Sequence, residues 1–410
     1  MSGPNVLKNF IRGDGQPITK PWIKDNFSLS TGVAGLVWQD WPNLVQDISL
    51  QSDKTYIVFH VSKNQIHEGN AVISLKYHND IMVWSWHIWV TASNMKTINV
   101  KNNKAKAPSR PGRDNFDFLS ENLGACYDGG ESMIYPESKV WIKVSNGVMT
   151  KVINITRQKG QSNTPAIGYN NTYYQWGRKD PMLPSNGLAG SDDSEMDIRR
   201  NKTWFDNNGN MSIECESMGL NSCEDKNYAN DGIQFTIRNP FKFAIIIGEE
   251  IPKMIYHNLW DTSFNEKISD HKIATSRFLP VTKSVYDPCP PGFCLPPNGA
   301  FTGFRKSNEM WGTLSDANIV RPFNKGWKFR TVLLGQPGGS TIFFPASGFR
   351  CRSHYDITAD DIMEKGQYSS ATFLLDNHIL SLEFGDVFVF HGLFYPSIDV
   401  GCSIRPVREI

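Results

Sequence analysis

The sequence predicts a mainly-β chain of the α+β class: an N-terminal antiparallel β-sandwich over residues 1–100, then a second domain over 114–410 with short strands and long irregular loops. Three observations predict it. Short alternating segments punctuated by turn residues fill residues 35–91. The 410 residues include 12 Trp, 13 Tyr and 24 Phe, an aromatic content suited to broad antiparallel sheets. Phrases mixing aromatics, Gly, Pro and Arg recur from residue 173 onward, as where rigid turns join short strands.

Five strands are expected first: Gly35–Asp40, Val45–Leu50, Tyr56–Val61, Ala71–Tyr77 and Ile81–Thr91. Alternation is clearest in the last. Val83, Ser85, His87 and Trp89 share one side there, with Trp84, Trp86, Ile88 and Val90 on the other. Glu68-Gly69-Asn70 and Asn79-Asp80 supply turns. The basic, Pro- and Gly-containing stretch Lys101–Arg113 is the expected linker between domains. Residues 183–231 lose apolar periodicity and read as a long loop, and regular structure resumes at Ile233–Ile237. The last block, Gly366–Arg408, alternates strand-like and turn-like residues.

Charge is nearly balanced, 42 Lys plus Arg against 41 Asp plus Glu, which argues against a nucleic-acid partner. No stretch reaches the roughly 18 apolar residues of a transmembrane span. Met1 is followed by Ser-Gly-Pro-Asn rather than a basic start and an apolar run, so no export signal is read here. Gly-x-Ser-x-Gly and His-Glu-x-x-His are absent, and the glycines at 335–341 lack the lysine of a phosphate loop. No catalytic residue, cofactor or metal is expected. Asp206, Asn208 and Asn210 offer alternate oxygens but no downstream bidentate Glu, and Asp192–Asp197 is the other oxygen-rich stretch; solvated turns are the favoured reading of both.

The cysteines fall at 126, 215, 223, 289, 294, 351 and 402, an odd count that leaves at least one thiol. Cys215 with Cys223, and Cys289 with Cys294 around Pro290-Pro291-Gly292, can each close a small disulfide or stay reduced and buried.

Three phrases carry a resemblance: Tyr173–Pro181 (YYQWGRKDP), Val285–Phe293 (VYDPCPPGF) and Gly401–Glu409 (GCSIRPVRE). With Ser120–Ala125 (SENLGA), Asn258–Asp261 (NLWD) and Pro345–Arg350 (PASGFR), in this order, the chain resembles fimbrial-tip and cell-surface adhesins of Bacteroidales bacteria that end in a C-type-lectin-like domain. Trp84–Thr91 (WSWHIWVT) recurs in the same proteins. Where the family has an aspartate and arginine before Asn-Leu-Gly-Ala, Ser120 and Glu121 stand here.

The resemblance implies a non-catalytic surface or pilus-tip adhesin, outer-membrane anchored or fimbrial. Its partners would be a host or bacterial glycan or surface protein, and other pilus subunits. It also implies that Val6–Ile23 is an internal piece of a longer protein, with the N-terminal domain incomplete. Two alternatives stand beside it: a structural pilus subunit, and a formylglycine-generating type of oxidase on the same scaffold. The oxidase would use Cys351 and Cys402, which on neighbouring strands would otherwise only cross-link. Trp176, Tyr286, Phe293 and Arg405 are expected to fix turns and strand ends. The ligand site is placed at Asp386, His391 and Tyr395, because Tyr368–Tyr395 holds polar residues and rings beyond what one buried face needs.

Overall fold

A computed structural model describes residues 7–126 except 8, 27–31, 54–55, 78–79, 105–108 and 110; then 138–144, 147–155, 171–184, 204–207, 211–212, 228–244, 256–264, 277–306, 314–353, 356–374, 378–391 and 398–410. Strands take up 41% and helices 8%, which places the chain in the mainly-β α+β class. It divides into two compact units, Met1–Cys126 with Gly168–Ile410, and Tyr127–Ile167.

The expected N-terminal strands are present as β1 (Val33–Gln39), β2 (Gln46–Leu50), β3 (Ile57–His60), β4 (Gly69–Lys76) and β5 (Met82–Val90). β2 pairs with β3, while β1, β4 and β5 form consecutive antiparallel neighbours of another sheet. Strand β4 lies between β1 and β5 and is buried along almost its whole length, as its Ala-Val-Ile-Ser-Leu run requires. Strand β5 is the last strand of that sheet.

Next come β6 (Thr97–Lys101) and β7 (Asn115–Leu119), which pair antiparallel from Thr97 opposite Leu119 to Lys101 opposite Asn115. The expected boundary at Lys101–Arg113 therefore falls inside the larger unit, as the connection between two adjacent strands. Lys104 donates to the Gly112 carbonyl at 2.9 Å and pairs with Asp114 at 3.5 Å, so this lysine ties the loop to itself. Basic, Pro-rich composition marks exposed chain equally well in a linker and in a hairpin loop.

The smaller unit contributes a hairpin, β8 (Ser138–Val144) with β9 (Gly147–Ile155). Two short strands, β10 (Trp204–Phe205) and β11 (Met211–Ser212), extend the β1 sheet. Ile233 and Ile237 then lie on a helix, α1 (Tyr228–Arg238), and their four-residue spacing puts both on its buried face. Strand β12 (Phe293–Cys294) precedes a three-stranded meander of β13 (Ile319–Val320), β14 (Gly326–Arg330) and β15 (Thr341–Pro345). A five-stranded sheet collects β16 (Ser347–Ser353), β17 (Asp356–Ile362), β18 (Gly366–Leu374), β19 (His378–Phe384) and β20 (Val389–His391). Finally β21 (Val407–Arg408) pairs with β7, so the first and last strands of 114–410 lie side by side.

The main core runs through both expected domains. Val100, Phe118, Trp176, Trp260, Tyr286, Phe301, Phe344, Phe384 and Ile404 belong to one cluster, against which Trp84 and Trp89 of β5 also pack. The phrases that carry the resemblance contribute Tyr174, Trp176, Trp260, Tyr286, Phe293, Ala346, Cys402 and Ile404 to it. Trp176 is 7% exposed, meets Trp260 edge-on with ring centroids 4.8 Å apart, and donates Nε1–H to the Tyr256 carbonyl at 3.0 Å. Gly177 stands next to it at φ 71°, where a Cβ would collide with Leu259. Arg178 and Arg405 are buried, and both donate to backbone carbonyls. Arg405 donates to the Asn122 side chain and to the carbonyls of Leu119, Ser120 and Phe343, so the end of β7 and the middle of β15 are held by one guanidinium.

Candidate functional site

Strand β5, the turn at 283–291 and the N-terminal segment 12–26 line a cleft of about 720 Å3. That lies within the roughly 300–1,000 Å3 of small-ligand pockets. From β5 come Trp84, Trp86 and Trp89, each partly exposed, with Ser85 and His87 between them. The 283–291 turn adds Lys283, Asp287 and Pro288 through Pro291, and the N-terminal segment adds Arg12, Lys20 and Asn26. Three phrases singled out from the sequence thus meet here: the tryptophan run, the Asp-Pro-Cys-Pro-Pro turn, and Lys179 of the Gly-Arg-Lys-Asp turn.

Hydrogen bonds fix the polar groups tightly. Lys179 spends its three N–H on the Ser85 carbonyl at 2.9 Å, the Ser85 hydroxyl at 2.6 Å and the Asp180 carboxylate at 2.7 Å. It also stands 4.5 Å above the Trp84 ring. Burial lowers its pKa, and the Asp180 charge opposes that. The Ser85 hydroxyl in turn donates to Asp180 at 2.8 Å. Asp287 accepts from Lys283 at 3.1 Å and from the backbone N–H of Cys289 and Leu295, while burial raises its pKa.

His87 is the hub of a longer chain. Asn70 donates its amide hydrogens to Asp40 at 3.0 Å and to the Gly124 carbonyl at 2.9 Å, which leaves its carbonyl oxygen to accept from His87 Nε2 at 2.9 Å. The other ring nitrogen, Nδ1, therefore accepts from the Tyr174 hydroxyl at 3.2 Å. Burial brings the His87 pKa down to about 3, so the ring is neutral at physiological pH. Trp89 donates its Nε1–H to the Ala125 carbonyl at 2.9 Å. Through these bonds β4 and β5 are joined to the Asn-Leu-Gly-Ala turn and to Tyr174.

The cleft offers indole surface, a serine, a neutral histidine and positive charge. Its nucleophile-like groups are committed: both His87 nitrogens are engaged, Ser85 donates to Asp180, and burial holds the Cys289 thiol well above its ordinary pKa.

Of the three residues expected to bind ligand, Asp386 and His391 lie among the described residues and differ in exposure. Asp386 is exposed in the connection between β19 and β20. His391, at the end of β20, is 5% exposed, and neither ring nitrogen has a hydrogen-bond partner among the described residues. Burial, with Arg305 adding to it, brings its pKa down to about 3. Leu382 of β19 stands opposite it. Phe390 is buried and stacks on the partly buried Phe388 with centroids 4.8 Å apart. Tyr395 lies outside the described residues, as do Asp376, Asn377 and Phe394.

Cys289 and Cys294 are buried free thiols, so the turn between them is closed by the Phe293 N–H to Pro290 carbonyl bond rather than by a disulfide. Cys402 is a free buried thiol, pushed by burial up to about 12, and is not bonded to Cys351, although Arg350 and Gly401 form a bridge beside them. Cys215 and Cys223 lie outside the described residues, as does most of the oxygen-rich loop at 192–210. Among the described residues no three His, Cys, Asp or Glu side chains converge as a metal set, and no helix is long and apolar enough to cross a membrane.

Sequence reasoning passed over Trp84, Trp86, Trp89, His87, Lys20 and Lys179 as site residues. One signal pointed to the first three. Rings on both sides of a strand are more than one buried face can use, the criterion applied instead to 368–395.

No family model matches the chain, and neither a curated protein nor a solved structure matches it.

Proposed function

We propose that the chain is a non-catalytic recognition protein of a bacterial cell surface or pilus tip, with a C-type-lectin-like fold over 114–410. Its ligand, a glycan or a surface protein, sits in the cleft along β5. The observation that carries this reading is three partly exposed tryptophans beside fixed polar groups in a cleft of about 720 Å3. Indole rings pack against the C–H faces of sugars or against side chains, while fixed donors and acceptors set orientation. The ordered phrases supporting the adhesin resemblance also line this cleft, through Trp84–Thr91, Lys179 and Val285–Pro291.

A glycan array probed with the whole chain tests the reading. The wild type is expected to bind a defined subset of saccharides, and Trp86→Ala to weaken that binding at least about tenfold with an unchanged circular dichroism spectrum. Binding that survives this substitution would move the site to Asp386–Tyr395 or to the 192–210 loop.

A further inference from the structure

We infer that the cleft selects acidic saccharides, pyranoses bearing a carboxylate, and that Lys20 is the residue that reads the charge; this rests on the recognition reading above. The argument is a count of which charges are already spent. Four cations line the cleft, Arg12, Lys20, Lys179 and Lys283, against one carboxylate, Asp287. Asp287 is turned to Lys283 and two backbone N–H groups, so it presents no spare charge to a ligand. Lys179 is saturated by Ser85 and Asp180. Lys283 donates to Asp287 and to the carbonyls of Cys289 and Phe293, and Arg12 is held by Asp14 at 3.1 Å and by the Asn26 carbonyl.

Lys20 is different. It is exposed at the cleft and has no carboxylate within ion-pair distance among the described residues. Its backbone N–H is pinned at 3.1 Å by Asn26 Oδ1, which also accepts from Thr19, so the main chain at Lys20 is anchored beside the cleft. The net charge offered to a ligand is therefore positive, next to indole rings that suit a sugar face. A neutral saccharide would use the rings and leave the ammonium to water. An acidic one uses both.

Binding of the whole chain to an array pairing acidic saccharides with their neutral parents, such as sialyllactose with lactose, tests this, followed by titration of the best pair at low and high salt. The acidic member is expected to bind at least about tenfold more tightly, to lose that preference in Lys20→Ala, and to weaken as salt screens the exposed ammonium. Equal binding of acidic and neutral members, unaffected by Lys20→Ala, overturns the inference while leaving a saccharide-binding cleft standing. Binding to no saccharide by the wild type overturns the recognition of sugars itself. Lys20-dependent binding of polyglutamate with no saccharide bound overturns the sugar assignment in favour of an acidic peptide.

Discussion

Two histidines, His87 on β5 and His391 on β20, are both driven by burial to a pKa of about 3, yet they sit in opposite surroundings. His87 is satisfied on both nitrogens, by Asn70 and by Tyr174, at the wall of a cleft. His391 is enclosed beside Leu382 with both nitrogens unpartnered among the described residues. A polar residue among aromatics therefore does not by itself mark a site. What distinguishes the cleft is that its polar groups are held in place by others, the condition for presenting fixed chemistry to a ligand.

The largest expected effect tests whether the phrases around the cleft are framework or site. Trp176 packs on Trp260 and on Phe373 of β18, at 4.8 and 5.3 Å between centroids, inside the main core. Trp176→Ala should cost roughly 3–5 kcal/mol of stability in denaturant unfolding. An unchanged melting temperature with lost binding would make Trp176 a ligand residue and blur the line between core and cleft.

Direct comparison of the histidines comes next. His87→Leu strands the Asn70 carbonyl and the Tyr174 hydroxyl, and about 1–3 kcal/mol should be lost at pH 7. His391→Leu replaces a ring whose nitrogens make no bond with a side chain of similar bulk, and stability should be unchanged or higher by about 1 kcal/mol. Equal destabilisation by both would mean that His391 has a partner, and the contrast would fail.

Strand positions in 33–90 were legible because period-2 alternation and turn residues agree there, and observed ends fall within two residues of the expected ones. The mainly-β class was legible for the same reason. The helix at Tyr228–Arg238 was harder, since only Ile233 and Ile237 mark its buried face. Of the cleft, only the tryptophan run of β5 was legible. His391 and Phe390 look surplus to a core in one dimension, but both are buried in the fold, with Phe390 stacked on Phe388. Lys20, Lys179 and Lys283 are spread over some 260 positions, and only the fold brings them to β5. Which of them keeps a spare charge depends on hydrogen bonds that no spacing rule encodes.

The smallest expected effect is the shape of the pH profile, where Glu383 opposes the histidines. Both histidines titrate near 6.5 when exposed and about 3 in the fold, so between those values the unfolded chain binds more protons and stability falls as pH drops. Glu383, on β19, is raised by burial from 4.5 to about 7, so between those values the fold binds more protons and stability rises as pH drops. From pH 6.5 to 4.5 the two effects partly cancel, and of these three groups only the histidines act below 4.5. Urea unfolding from pH 7 to 3.5 should therefore show a shallow slope followed by a steep one. Glu383→Gln should remove the cancelling contribution, so that the loss begins near pH 6.5, and His391→Leu should flatten the steep limb by about half. If His391→Leu leaves the steep limb intact, His391 is not the neutral buried ring described here, and it and His87 differ in charge as well as in partners.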